Sequence, residues 1–545
     1  MNWKTLNEAR KKLAGEQGTI FKDWGGRIHM ALIYPGSYSS GMSNLGFQTI
    51  YGFLNQYDRI VCERAFYDGC EPLSLESQRP LHDFDILAFS FSYELDYFSA
   101  AHLLKSSGIP IFASDRGEHH PLLIAGGAAV TANPEPLAPL IDCFAIGEGE
   151  TILPQMMRVI LDDMELPRHE LLRELSVLPG IYVPSMADVP IARQSAPNLS
   201  DFLTGSVVLT PDTEFGDLYL MEIARGCNRG CRFCLAGYHF CPMRHRPLEN
   251  LLEQARQGLR YRKRLGLVGA AITDHPQIDE LVIGLRRMGA EFSVGSLRIK
   301  PLSDTLLRGL SESGTRTISL APEAGSQRMR QVVKKATSED DILRAVDRVA
   351  SHGPRQLKLY FMIGLPTETE EDIVDIGSLA LATKDILDRH RSGTRLTLNI
   401  APFVPKAGTP FQWLPMATGD VLSHRLSLLK KGLIHKGIAV KADSIDWSLV
   451  QGMLSRGNSR MGQVIACMPR TSLSAWRKAV EGAGLDPNLI HREIPGGERL
   501  PWWKINSGVK TEYLRDELER ACQARCQMQD ARYMYPVSRI LNPVS

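Results

Sequence analysis

Two successive series of short apolar runs, each alternating with helical patterns, limit what this chain can fold into. The first series occupies residues 28–150. The run 28–34 (IHMALIY) reads as a buried strand ending at Pro35 and Gly36, and 45–55 follows with helix-like spacing. The runs 85–92, 109–113, 122–125 and 143–146 read as further strands, each followed by a loop or helix. Such alternation predicts a doubly wound parallel sheet. Sheets of this kind take ligands at the carboxyl ends of their strands, here the loops 35–44, 90–97, 126–134 and 147–151.

Periodicity fades between 166 and 215, where VPSMADVPIARQSAPNLSDF reads as a linker. The second series then runs to about 440, with strands at 218–224, 267–273, 291–295, 316–320, 356–363 and 395–403. Helical patterns at 248–265, 278–288, 303–313, 338–352 and 369–390 separate them. Six strand-helix units at this spacing predict a partial (β/α)6 barrel with its chemistry at the C-terminal strand ends. The expected division is 1–165, a linker at 166–215, a barrel at 216–440 and a small α/β appendage at 441–545. A length of 545 residues suits that number of domains.

Sixty-three Lys and Arg against 61 Asp and Glu leave a formal charge of +2, so no global field draws in nucleic acid or anionic membrane. No apolar stretch approaches the roughly 20 residues that span a bilayer, and the N-terminus carries no signal-like apolar core. A cytoplasmic protein is expected, in which ten cysteines stay reduced and clustered ones hold metal. Cys227, Cys231 and Cys234 form such a cluster, in EIARGCNRGCRFC immediately after the first strand of the second series. Thiolates are the ligands of both iron-sulfur clusters and zinc. Cys241 offers a fourth thiolate for a structural zinc site, although zinc more often takes its cysteines as two separated pairs. A cubane held by three thiolates would keep one iron open.

The spacing C-x3-C-x2-C with Phe233 before the last cysteine resembles the hallmark of the radical SAM superfamily. The resemblance implies a 4Fe-4S cluster on Cys227, Cys231 and Cys234 whose open iron chelates S-adenosylmethionine (SAM), and reductive cleavage of that sulfonium to a 5'-deoxyadenosyl radical. It extends to SVGSLR at 293–298, SLAPEAGS at 319–326 and FMIGLPTE at 361–368. Through these it implies cofactor contacts from Phe233, Ser296, Arg298, Glu323, Gly364 and Pro366. The family's glycine- and glutamate-rich motif after the second strand is not matched: VGAAITD at 268–274 lacks the glutamate, leaving Gly269, Thr273 and Asp274 as candidates for the cofactor's amino group.

The first sheet resembles the Rossmann-like, cobalamin-binding-type domain that precedes the barrel in one subgroup of that superfamily. The likeness rests on DILAFSFS at 85–92, IAGG at 124–127 and IGEGE at 146–150, and an uncharacterised branch is matched along nearly the whole chain. It implies cobalamin against Ser90, Ser92, Gly126, Gly127, Gly147 and Glu148, the glycines letting backbone approach a bulky ligand. The subgroup's Asp-x-His-x-x-Gly loop is absent: YPGSYSSG at 34–41 offers no histidine, so cobalamin would bind without an axial ligand from this loop.

The expected activity is therefore radical SAM chemistry, with cobalamin-dependent methyl transfer to an unactivated carbon as one outcome. Rearrangement or sulfur insertion over a non-binding scaffold domain is the alternative, and a zinc-stabilised RNA-binding protein a more distant one. The substrate is not legible, and a low-potential donor such as flavodoxin or ferredoxin is the implied partner. Cys241 is a weak candidate for a hydrogen or electron donor, Cys522 and Cys526 stand at i, i+4 on an expected helix, and Cys62, Cys70 and Cys143 read as structural.

Overall fold

The computed structural model describes residues 3–67, 69, 72–202 and 204–526. The chain divides into two compact units, and its C-terminal fifth contributes to both.

The first unit is built on β1 (Ile28–Tyr34), β2 (Ile60–Phe66), β3 (Ile86–Ser90), β4 (Leu122–Gly126), β5 (Cys143–Ala145) and β6 (Ile181–Tyr182). Their order is β2-β1-β3-β4-β5-β6, and all pairs are parallel except β5 with β6. Chain order reverses between β1 and β3, and the crevice of a doubly wound sheet opens at such a switch point. Met30, Leu32, Ile86, Leu122 and Ile124 pack one face against the helices Leu45–Leu54 and Gly149–Asp163.

Two details differ from the sequence expectation. Residues 109–113 form no strand, because Pro110 lacks a ladder donor and the Ile109 N–H is spent on Leu104 O at the preceding helix end. The edge position belongs to β2, whose IVCERAF hides a charged pair inside a strand. Arg64 is fully buried there and bonds Glu16 at 2.6 Å and Glu76 at 2.7 Å, so the polar centre that masks the strand pattern is satisfied internally. The stretch 166–215 contributes the helix Arg168–Ser176, the edge strand β6 and β7 (Ile191–Ala192).

The second unit begins with β8 (Tyr219–Glu222), followed by the two-residue strands β9 (Ala224–Arg225) and β10 (Arg244–His245), an antiparallel pair. Then come β11 (Arg264–Val268), β12 (Glu291–Val294), β13 (Thr317–Glu323), β14 (Gln356–Ile363), β15 (Arg395–Pro402) and β16 (Ala439–Ala442). The orders are β12-β11-β8 and β13-β14-β15-β16, and a parallel bridge from Leu297 to Leu320 spans the gap between β12 and β13. The result is an open barrel in which β16 follows the six strands read from the sequence. Its helices start on side-chain caps: Ser338 and Asp341 form a capping box on Glu339–Ser351, and Thr369 and Asp372 form another on Glu370–Arg389.

The appendage is mainly helical. Residues 454–487 and 500–508 join the first unit, where β17 (Ile505–Asn506) pairs with β7, and the helix Thr511–Cys526 joins the second. Among the described residues no helix is long and apolar enough to cross a membrane.

Segment 191–196 crosses the C-terminal end of β5. Gln194 N–H donates to Ile146 O, and Gln194 O accepts from Glu148 N–H, both at 3.0 Å. Gly147 sits at φ +124°, and a Cβ there would lie 2.1 Å from Gln194 O. We expect Gly147→Ala to destabilise the first unit by about 2 kcal/mol or more. Gly25→Ala, at a position facing open space, should stay within about 0.5 kcal/mol of wild type, both read from urea unfolding midpoints.

Candidate active site

The loop 226–243 is enclosed by the β9/β10 pair, so its two ends are pinned together at the C-terminal end of β8. Gly226 makes that closure possible. It stands at φ +82°, and a Cβ would come within 1.9 Å of Phe240 O on the returning limb. Within the loop, Cys234 N–H donates to Cys231 O at 3.0 Å and Tyr238 Oη donates to Gly230 O at 3.0 Å, which folds the three-cysteine segment back on itself.

Cys227, Cys231 and Cys234 carry free thiols. The Cys231 thiol feels the charge of Cys234, and the Cys234 thiol that of Cys227, so the three belong to one electrostatic site. Burial pushes the Cys231 thiol up to about 11, with Lys335 opposing, and burial raises that of Cys234 as well. Burial thus disfavours the bare thiolates, and a metal binding here must displace their protons and take over the charge. Among the described residues no group of three or more His, Cys, Asp or Glu side chains is already drawn together around a single point.

Cations surround the thiols, and carboxylates hold the cations. Arg298 Nη1 donates to Cys227 Sγ at 3.9 Å, and its Nε lies 3.6 Å from Asp274. Asp274 also takes both Nε and Nη2 of Arg229, at 2.9 and 2.6 Å. Asp274 therefore stands after β11, where the expected glutamate is missing, and it positions two guanidiniums. Thr273 Oγ1 is buried beside it with no hydrogen-bond partner, while Gly269 packs on Ala224 O.

At the end of β13 a register shift places Glu323 at φ +70°, where Lys335 donates to it at 3.0 Å. A bulge that aims a side chain at a barrel mouth is a common device beside active sites. Glu222, at the end of β8, accepts from Arg225 at 2.8 Å and Arg246 at 2.7 Å, and these partners bring its carboxyl below the usual range although burial alone would raise it.

Of the remaining sequence candidates, Phe233 is half-buried on the cysteine loop and Ser296 is exposed after β12. Gly364 is buried, its N–H donating to Glu368 at 2.6 Å, and Glu368 also accepts from Arg425 at 2.7 Å; Pro366 is half-buried on this turn. Cys241 donates through Sγ to Tyr238 O at 3.1 Å, just beyond the three-cysteine segment. Cys62 and Cys143 are buried, whereas Cys70 and the Cys526 side chain lie outside the described residues.

The sequence reading missed Glu517. This carboxylate, 1% exposed, comes from the helix Thr511–Cys526 and accepts from Arg232 at 3.1 Å, Lys334 at 2.9 Å and Arg520 at 2.8 Å. Arg232 stands between Cys231 and Phe233, and its Nη1 further donates to Gln331 O and Val332 O. The last described helix thus fastens the cysteine loop from behind. No pattern in the sequence joins residues 285 positions apart.

In the first unit, Ser90 is buried at the end of β3, and Ser92 accepts from Asn44 Nδ2 at 2.9 Å across the switch point. At Gly127 and Gly147 the space a Cβ would take is filled from within the chain. Each faces the chain's own backbone, Phe91 and Gln194 respectively, and Glu148 is occupied in accepting from Ala196 N–H at 2.9 Å. Gly126 does remain open: a Cβ there would meet nothing closer than Ala145 at 3.8 Å.

Comparison with known proteins accords with this geometry. Residues 46–184 match the family described as radical SAM proteins, N-terminal, and residues 221–380 match the radical SAM superfamily. An uncharacterised protein of Methanocaldococcus jannaschii is 30% identical over 460 residues, covering 83% of this chain and 94% of its own. The chain belongs to the radical SAM superfamily. Its fold is also that of the cobalamin-dependent radical SAM enzyme OxsB with aqua-cobalamin bound, at a TM-score of 0.51 and 13% identity over 94% of this chain and 83% of that one. A tRNA-2-methylthio-N(6)-dimethylallyladenosine synthase of Thermotoga petrophila is 25% identical over 35% of this chain, and the match spans 43% of that protein.

This radical SAM fold implies a 4Fe-4S cluster and SAM, and the thiol triad with its flanking cations fits the cluster. Glu517→Gln should leave Arg232 and Lys334 without a buried counter-charge, costing about 3 kcal/mol. We expect lower iron retention after desalting than in Glu512→Gln on the same helix. In the cluster-free protein the Cys231 thiol keeps its proton to about pH 11, whereas in the unfolded chain it ionises near 9.0. Its contribution to stability is therefore complete below about pH 9 and lost as pH rises towards 11. Unfolding midpoints measured over that window should fall more steeply for wild type than for Cys231→Ala.

Proposed function

We propose that this radical SAM enzyme carries out cobalamin-dependent methyl transfer to an unactivated carbon of its substrate. When bound, the cluster and SAM supply a radical by reductive cleavage, and cobalamin supplies the methyl group. The observation that carries the reading is the thiol triad at a barrel mouth combined with a preceding sheet that keeps one open glycine at its C-terminal edge.

The chain's own residues have definite tasks in this scheme. Cys227, Cys231 and Cys234 would hold iron as thiolates, and Arg298 and Lys335 stand where they would offset the negative charge. The Asp274 carboxylate orients Arg298 and Arg229 and offers an acceptor for the SAM amino group. Glu323, displaced by the bulge in β13, presents its carboxylate at the mouth with Lys335 beside it. The turn at Gly364 is held by Glu368 and Arg425, which fixes the end of β14 against which an adenine would rest.

For cobalamin, Gly126 and Ala145 give small, half-exposed groups side by side at the ends of β4 and β5. No histidine stands between β1 and β2, so cobalamin would bind without an imidazole from that loop. The structural likeness to OxsB supports this use of the fold. Sulfur insertion is the second reading, favoured by the distant relatives named as methylthio-adenosine synthases.

Anaerobically reconstituted protein should hold about four irons, lose them in the Cys227/Cys231/Cys234 triple alanine variant, and release 5'-deoxyadenosine on reduction with SAM. It should also retain hydroxocobalamin through gel filtration, read in the visible spectrum. Gly126→Val, filling the open space there, should weaken that retention about tenfold or more with the iron content intact. A colourless wild-type protein at saturating hydroxocobalamin would remove methyl transfer and leave sulfur insertion or rearrangement.

A further inference from the structure

Two strands of the second unit carry two unlike faces. Leu357, Leu359, Phe361 and Ile363 on β14 and Leu396, Leu398 and Ile400 on β15 are at most 2% exposed, and they form the apolar face under the crossover helices. The alternate residues point the other way, into the barrel lumen. Gln356 Nε2 donates to Thr397 Oγ1 at 2.8 Å, which puts those two side chains on one face, and alternation adds Lys358, Tyr360 and Asn399 to it. In register, Lys358 stands beside Thr397, Tyr360 beside Asn399, and Asn399 beside Lys441 on β16. A closed barrel fills its lumen with layers of branched apolar side chains. This open one presents an ammonium, a phenol and an amide there.

We propose that Lys358, Tyr360 and Asn399 select the substrate, and that it is a small anionic ring compound carrying an N–H or O–H donor. Charge is the first argument. Cations around the cysteines are held by Asp274, Glu323 or Glu517, whereas Lys358 has no ion-pair partner among the described residues. Lys441, exposed on the same face, has none either. A cation kept on a lumen face without a carboxylate is open to the anionic group of a ligand. Hydrogen bonding is the second argument. Asn399 Oδ1 is buried with no partner, and a ligand donor would restore the missing bond.

Shape is the third argument. Tyr360 is 38% exposed and its phenol makes no hydrogen bond among the described residues, so its ring offers a flat wall to a ligand. Neighbouring strands lie about 4.8 Å apart and alternate residues of one strand about 6.6 Å apart, so the three groups outline a patch the size of one six-membered ring with its substituents. None of the positions given to the cluster, SAM or cobalamin belongs to this patch. It also lies deeper than Glu323, which is in register with Phe361, so an anion at Lys358 would leave the rest of the ligand directed at the barrel mouth. The inference rests on the radical SAM assignment, for which it names the substrate class, and is independent of whether cobalamin binds.

Anaerobic saturation-transfer NMR of the reconstituted holoenzyme tests it with para-aminobenzoate, para-aminophenyl phosphate, benzoate and aniline. The two amino-substituted anions should both bind more tightly than aniline, and the tighter of them tells a carboxylate from a phosphate preference. Lys358→Gln should weaken the anions about fivefold or more and leave aniline unchanged, whereas Lys358→Arg should preserve them. Para-aminobenzoate should bind more tightly than benzoate, and Asn399→Leu should abolish that difference. Tyr360→Ala should weaken all four ligands alike. Iron content and SAM binding should match wild type in each variant. Equal affinity for aniline and the anions overturns the proposal, as does indifference of the anions to Lys358→Gln. Weakened SAM binding in Lys358→Gln with the probes unaffected also overturns it, since the patch would then serve the cofactor. Loss of iron from wild type would instead strike the radical SAM assignment itself.

Discussion

Three thiolates brought to one place in a buried loop repel each other and resist leaving water, and much of the second unit is arranged around that difficulty. Burial alone keeps Cys231 protonated far above neutrality. Metal binding must therefore draw protons out of a site that disfavours bare charge, and the surrounding cations make this feasible. Each cation would repel the others if left alone, so each is held by a carboxylate: Asp274, Glu323 or Glu517. The site is a layered arrangement of alternating sign. The layers come from the end of β8, the turn after β11, the bulge in β13 and the last described helix, and the barrel fixes their spacing.

How much of this was legible in the sequence depends on the distance over which each signal acts. The three cysteines and Phe233 lie within eight residues, and the strand before them is a plain apolar run, so local spacing sufficed. Strand β2 was hidden because Glu63 and Arg64 interrupt its apolar run, and both are buried through pairing with distant groups. The run 109–113 looked like a strand because its residues are apolar, but Pro110 cannot join a ladder and the chain simply packs there. Glu517 gave no signal, since a carboxylate on a polar helix announces a partner only when the fold brings one to it.

The glycines of the first unit teach a related lesson. IAGG and IGEGE mark strand ends where backbone comes close to something, and the sequence does not say to what. At Gly127 and Gly147 it is the chain itself, with segment 191–196 laid over the end of β5; only Gly126 keeps space in front of it. Glycines of these two short motifs thus divide their work, two serving close packing within the chain and one leaving space in front of it.

The fastening of Arg232 by Glu517 also sets an order of events during synthesis. The cysteine loop, the barrel strands and Lys334 emerge from the ribosome long before residue 517, and until then Arg232 and Lys334 have no buried carboxylate between them. The loop can fold around the thiols but cannot be locked. Arrival of the last described helix would supply that carboxylate, so the fastening of the loop is complete only when residue 517 is in place.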